Sequence, residues 1–198
     1  MFVLAEFADT VRVMPADLRK PRELAIEDEV NIKYGGRVFH NVGLCICMRD
    51  LLHVEQGIVQ HTEGSAYYKV KFTMVVFRPF PSEVFFGTII ASSRDGIRVS
   101  TNFFDDIFVP PSLLPSPRRF DETDNVWVWQ TENAELFFDV DEKVRVQVQS
   151  IEFKEIRPDA AKRDAGTGAV QRQQVPFKVV GDFSAPGLGP ASWWEAIN

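Results

Sequence analysis

The sequence predicts an α+β protein of two modules: a mixed sheet-plus-helix module over residues 1–80, then an antiparallel OB-type β-barrel over residues 81–198. Three observations predict it. A long alternating strand from Tyr68 ends at Phe77, where Pro79 and Pro81 remove the backbone N–H groups a ladder needs. Short strands then follow at once: Glu83–Ala91, a turn over Ser92-Ser93-Arg94-Asp95-Gly96, Ile97–Phe103 and Ile107–Pro110. That order of strands and turns suits a small closed barrel. Finally, the segment after Pro21 carries apolar residues at a helical spacing.

In chain order, a first strand runs from Phe2 to Val13 and stops at Met14-Pro15. Pro21 suits the first turn of a helix, because its fixed φ and missing N–H cost nothing there. Ile26, Val30 and Tyr34 fall at i, i+4 and i+8, one apolar stripe, and Gly35-Gly36 ends the helix. Strands resume at Val38–His40, Gly43–Met48 and Ile58–Gln60, and a polar loop, His61–Ala66, leads to the long strand. There Tyr68, Val70, Phe72, Met74 and Val76 line one face. Lys69, Lys71 and Thr73 line the other, until Val75 and Phe77 turn it apolar.

In the second module Val126 and Val128 alternate with Trp127 and Trp129, and Val144, Val146 and Val148 with Lys143, Arg145, Gln147 and Gln149. The valines read as barrel interior, which sends the tryptophans and the cations outward. Residues 157–174 show no hydrophobic period and read as a mobile insertion. A last strand, Pro176–Phe183, closes the barrel.

Charge divides unevenly. Residues 1–80 hold 10 Lys/Arg and 10 Asp/Glu, residues 81–198 hold 12 and 18, so the net −6 lies in the second module. Nucleic-acid modules gain affinity by replacing counterions with Lys and Arg. An acidic module can do so only on a local face, and weakly.

No apolar run approaches the ~20 residues of a membrane span, so no membrane partner is expected. Cys45 and Cys47 stand two apart on a strand, pointing the same way roughly 6.6 Å apart, too far for a disulfide. They read as two small buried thiols. No Gly-rich phosphate loop, H-E-x-x-H or G-x-S-x-G occurs, and His40, His53 and His61 stand alone. Asp105-Asp106 points its carboxylates apart and reads as a turn cap. No catalytic residue, metal site or cofactor is expected.

Two kinds of surface remain. Arg98, Phe104, Arg118, Arg119, Trp127, Trp129, Lys143 and Arg145 are the candidate RNA-contact residues, aromatic rings for base stacking mixed with cations for phosphate. Their rival role is packing at the barrel end, or against another protein. Phe2, Leu4, Phe7, Ile26, Val30 and Tyr34 supply more apolar surface than a module of this size buries easily, and so are candidate partner-interface residues. Trp193 and Trp194 join them, since two adjacent exposed tryptophans are costly unless covered.

The chain also resembles a family. Gly64-Ser65-Ala66, Val75–Phe80 and Glu83-Val84 resemble the junction of the larger stalk subunit of archaeal and eukaryotic RNA polymerases. Met1–Leu4, Asn41–Cys47, Phe103–Ile107, Pro186–Gly189 and Ser192–Trp194 are similar to its RNA polymerase III branch. The resemblance implies a non-catalytic nuclear subunit that pairs with a smaller helical subunit, docks on the polymerase core and meets nascent RNA and initiation factors. It implies that the tip loops, with Gly57, Gln60, Gly64 and Tyr67, dock on the core. A free OB-type RNA-binding factor, or the stalk subunit of another nuclear polymerase, are the alternative readings.

Overall fold

The computed structural model describes residues 1–131, 134–154 and 176–195. The chain divides into two compact units, Met1–Arg78 and Pro79–Asn198. The mobile insertion expected over 157–174 lies outside the described residues.

The first unit is a sheet with one helix. Its strands are β1 (Phe2–Val13), β2 (Val38–Phe39), β3 (Gly43–Val54), β4 (Ile58–Val59) and β5 (Ala66–Phe77). They run in the order β1-β5-β3-β2, with β4 paired on β5, and every pairing is antiparallel. Helix α1 (Arg22–Tyr34) starts directly after Pro21, whose carbonyl accepts the Ala25 N–H at 3.1 Å. It ends where Gly35 N–H donates to Asn31 O at 2.9 Å and Gly36 takes a left-handed φ of 73°. Ala25, Ile26, Val30 and Tyr34 are buried with Val70, Phe72, Met74 and Val76 of β5 in one core. Full burial of a side chain such as Ile26 or Val30 contributes about 1.5–3 kcal/mol, so the stripe fixes the helix on the sheet.

On the other face of β5, Lys69 and Lys71 are exposed, whereas Thr73 and Phe77 are buried. The cysteine reading needs correction: Cys45 is buried but Cys47 is exposed. A β-bulge separates them, so that Cys45 stands opposite Val76 and Cys47 opposite Val75. One extra residue in a strand flips every side chain beyond it to the other face.

The second unit is built on five strands: β6 (Val84–Ser93), β7 (Gly96–Ser100), β8 (Ile107–Val109), β12 (Lys143–Phe153) and β13 (Phe177–Asp182). Strands β6, β7 and β8 form an antiparallel meander, β8 pairs in parallel with β13, and β13 returns through β12 to β6. The ring is therefore closed, in the strand order of an OB barrel. Val144, Val146, Val148, Ile89, Ile97, Val99 and Val179 fill it. Gly181 lets β12 approach: a Cβ there would lie 2.6 Å from Val146 Cγ1. Phe104, Phe153 and Phe177 stack at one end, with centroids 4.9–5.1 Å apart along the chain of rings.

The Trp127 segment is not part of the ring. Strands β9 (Arg118–Asp121), β10 (Val126–Gln130) and β11 (Glu135–Phe137) form a separate three-stranded sheet inserted between β8 and β12. A short β14 (Gly189–Pro190) adds to β12, and a helical turn, Ser192–Glu195, follows.

Candidate nucleic-acid interface

The outer face of β7, β8 and β13 brings one ring and two cations together. Arg98 on β7 stands directly opposite Phe108 on β8, and Phe108 opposite Val180 on β13. From β13, the Lys178 ammonium sits 4.2 Å from the centroid of the Phe108 ring. Alternation puts these side chains outside because Ile97, Val99, Ile107, Val109 and Val179 are fully buried between them. A half-buried ring flanked by two cations can stack a base and hold the adjoining phosphates.

Two carboxylates edge this strip. Burial pushes the Asp106 carboxyl above its ordinary range, and Asp105 adds to this, while Arg98 and Lys178 pull the other way. Asp105 instead accepts the Ser100 hydroxyl at 2.5 Å, and Ser100 Oγ accepts the Asn102 N–H at 3.1 Å. Asp105 thus serves the turn before Ile107, and among the described residues no group of acidic, His or Cys side chains can hold a metal ion.

Of the sequence candidates, only Arg98 belongs to this strip. Phe104 and Trp127 were expected to point outward, and both are buried, at 6% and 8% relative exposure. Phe104 packs on Phe177 at 5.1 Å. Trp127 packs on Phe120 at 5.2 Å, and its indole N–H donates to Ser93 O at 2.8 Å. Both faces of β10 are covered, so alternation there separates two interiors, with Val126 and Val128 buried as well. Trp129 is half-buried and lies 5.6 Å from Trp193.

Arg118 and Arg119 are exposed on the inserted sheet. Arg118 donates to Leu114 O at 3.1 Å and Ser116 Oγ at 2.9 Å, and Arg119 lies 3.8 Å from Glu135. Lys143 is exposed on β12, and the Arg145 guanidinium lies over the Phe86 ring at 5.5 Å. Phe108, Lys178 and Phe86 were missed by sequence reasoning. The signal was present: each occupies the outward phase of a strand whose inward phase is apolar or glycine, Phe85, Gly87 and Ile89 on β6, Ile107 and Val109 on β8, and Phe177, Val179 and Gly181 on β13.

The partner-interface candidates divide likewise. Ile26, Val30 and Tyr34 are buried in the first unit's own core and offer no surface to a partner. The helix periodicity was right, but the stripe faces the sheet. Phe7 is half-buried among Tyr34, Phe39 and Phe72, with centroids 5.5–5.9 Å away. Phe2 and Leu4 alternate to the opposite face of β1 and remain about half exposed, at 48% and 53%. Leu24 and Ile32, on the outer side of α1, are exposed too and were not anticipated. Trp193 packs edge-on against Phe138 at 4.8 Å, and the Trp194 indole donates to Leu188 O at 3.0 Å, so both are largely used within the unit.

At the tip, Gly64 N–H donates to Gln60 O at 2.8 Å, and Tyr67 stands opposite Ile58. Gly57 lies under the Tyr68 ring so closely that a Cβ would be 2.3 Å from it. Arg12 ties the loop to β1 through Glu63 at 2.7 Å and Ser65 at 3.1 Å. Ile58 and Val59 beside it are exposed.

Comparison with known proteins agrees over both units. Residues 83–194 match the family model described as RNA polymerase III subunit Rpc25. Residues 8–65 match the SHS2 domain found in the N terminus of Rpb7p/Rpc25p/MJ0397. The chain is 38% identical to DNA-directed RNA polymerase III subunit rpc8 of Schizosaccharomyces pombe, over 98% of this chain and 100% of the relative. It is 39% identical to RPC8 of Bos taurus, over 99% and 100%. More distantly, it is 30% identical to the Saccharomyces cerevisiae RNA polymerase II subunit RPB7, over 54% of this chain and 60% of that one.

Proposed function

The chain belongs to the Rpc25 family of RNA polymerase III subunits, and from that premise we propose that it is a non-catalytic stalk subunit acting by shape and adhesion in the nucleus. The first unit pairs with a smaller helical subunit through the apolar residues it leaves exposed, Phe2, Leu4, Leu24 and Ile32 among them. The tip around Gly57, Gln60, Gly64 and Tyr67 docks on the polymerase core. The barrel meets the emerging transcript, and initiation factors approach the same unit.

A single observation carries the RNA reading: Arg98, Phe108 and Lys178 converge on one outer facet of strands β7, β8 and β13. Strands two and three of an OB barrel are its usual oligonucleotide face, and β7 and β8 hold those places. The second unit holds the whole of the chain's acidic excess, so the contact is local and weak in isolation. This weighs against a free RNA-binding factor, which needs useful affinity alone.

Purification of the tagged full chain from cells tests the assembly reading. Recovery of the RNA polymerase III subunits together with one small helical subunit is the expected result. A chain recovered alone, or with another polymerase, overturns it.

A further inference from the structure

A second facet of the barrel has a different character. On its outer side β6 presents Val84, Phe86 and Ile90, which are 51%, 63% and 39% exposed. In register across β12 stand Gln147 opposite Val84, Arg145 opposite Phe86 and Lys143 opposite Thr88. The inward phase, Phe85, Ile89, Val144, Val146 and Val148, is buried in the barrel, so the outward assignment is firm.

Two features of this facet point to an occupant. Three apolar side chains are open in one row, and two of them are aliphatic, which pack against a protein side chain but stack poorly on a base. Arg145 lies over Phe86, 5.5 Å from the ring centroid, with its Nε buried and without a hydrogen-bond partner. A buried unmade hydrogen bond is costly. Among the described residues no carboxylate pairs with Arg145 or Lys143. An aromatic ring and an arginine amid open apolar surface is the usual make-up of an interface centre.

We propose that the β6–β12 facet docks an acidic, apolar-faced segment of another protein chain. Its apolar side chains cover Val84, Phe86 and Ile90, and an Asp or Glu engages the Arg145 fork, with Lys143 at the rim. A carboxylate matches the two terminal nitrogens of that fork with two parallel bonds. This surface is separate from the Arg98–Phe108–Lys178 strip, and neither reading needs the other.

The test places the photoreactive residue p-benzoyl-phenylalanine at Phe86 of the tagged full chain, irradiates living cells and maps the crosslinked peptide by mass spectrometry. Expected is one protein segment in which Asp or Glu flank apolar residues, with the yield reduced at least ~5-fold when Arg145→Gln is added. Crosslinks to RNA, to a basic segment, or no more than at the exposed control position Asp124 overturn the proposal. So does a yield indifferent to Arg145→Gln. Co-purification of polymerase subunits is scored separately, so a failed stalk reading and a failed docking reading are told apart.

Discussion

Strands β8 and β10 read alike and behave differently. Ile107-Phe108-Val109 and Val126-Trp127-Val128 both alternate an aromatic with two aliphatic residues. In β8 the aliphatic pair fills the barrel and Phe108 lies outside under Lys178. In β10 all three residues are buried, because Trp127 has its own cover of Phe120 and the Ser93 carbonyl. Period-two spacing separates two faces of a strand; it does not say which face meets water. What packs across each face decides that, and it comes from distant parts of the chain.

The largest expected effect falls on the covered strand. Trp127→Ala removes a buried ring and its hydrogen bond, and truncations of this kind cost about 3–5 kcal/mol. Denaturant unfolding followed by far-UV circular dichroism should show the barrel transition moving to lower denaturant. Where the variant remains folded, crosslinking to transcript should be normal. Normal stability with lost crosslinking would invert the comparison and make Trp127 an RNA-facing residue.

Phe108→Ala should do the reverse. Its ring is only half-buried, so stability changes little. Loss of one stacked base costs about 1–3 kcal/mol of RNA affinity, roughly 5- to 150-fold. Crosslinking of the assembled polymerase to emerging transcript is the measurement, with Phe108→Tyr expected to rescue it. If Phe108→Ala leaves crosslinking intact, the β7–β8–β13 strip is not the contact.

The same distinction applies to a polar residue on a covered face. Asp9 alternates with the core side of β1, where it accepts the Tyr34 hydroxyl at 2.6 Å and an ion pair from Lys33. Burial pushes its carboxyl up, but hydrogen bonds from Lys33, Tyr34 and the Thr10 backbone more than offset this, leaving it below its ordinary 3.8. A folded-state value below the unfolded one gives stability that is present above pH 3.8 and is lost as pH falls through the folded value. Asp9→Asn should therefore cost roughly 1 kcal/mol near neutral pH. Melting curves of wild type and variant should converge in strong acid. A gap that stays constant with pH would mean that Asp9 acts by packing alone.

Much of this was legible in the sequence, for local reasons. The stripe Ile26–Val30–Tyr34 and the paired glycines fixed helix α1 to within a residue, because spacing and capping act within a few turns. The switch of β5 from Lys69 and Lys71 to Phe77 was readable too. What escaped depends on distant chain. The bulge that parts Cys45 from Cys47 is set by the pairing with β5. The three-residue β8 pairs with its neighbour β7, but its parallel partner lies some 70 positions later, at Val179 and Val180. The inserted sheet looked like barrel because its alternation is the same. Family resemblance identified the polymerase subunit, while the meeting of Arg98, Phe108 and Lys178 on one facet depends on pairing across three strands.

The smallest expected effect tests whether exposed charge alone makes a contact. Arg118 and Arg119 are adjacent, exposed and basic, and composition would nominate them first. Yet Arg118 is held by Leu114 O and Ser116 Oγ, and Arg119 lies near Glu135 and Asp121. Local partners of this exposed kind are worth about 0–1 kcal/mol, so the double change Arg118→Ala, Arg119→Ala should hardly alter stability. Its diagnostic is salt. A residue that neutralises a phosphate contributes about one to the slope of log affinity against log salt, so losing two such contacts would flatten it by about two. The expected slope for RNA is unchanged in the double variant and shallower in a Lys178→Ala control. The opposite pattern would move the contact from the barrel strip to the inserted sheet, and β10, not β8, would then neighbour the transcript.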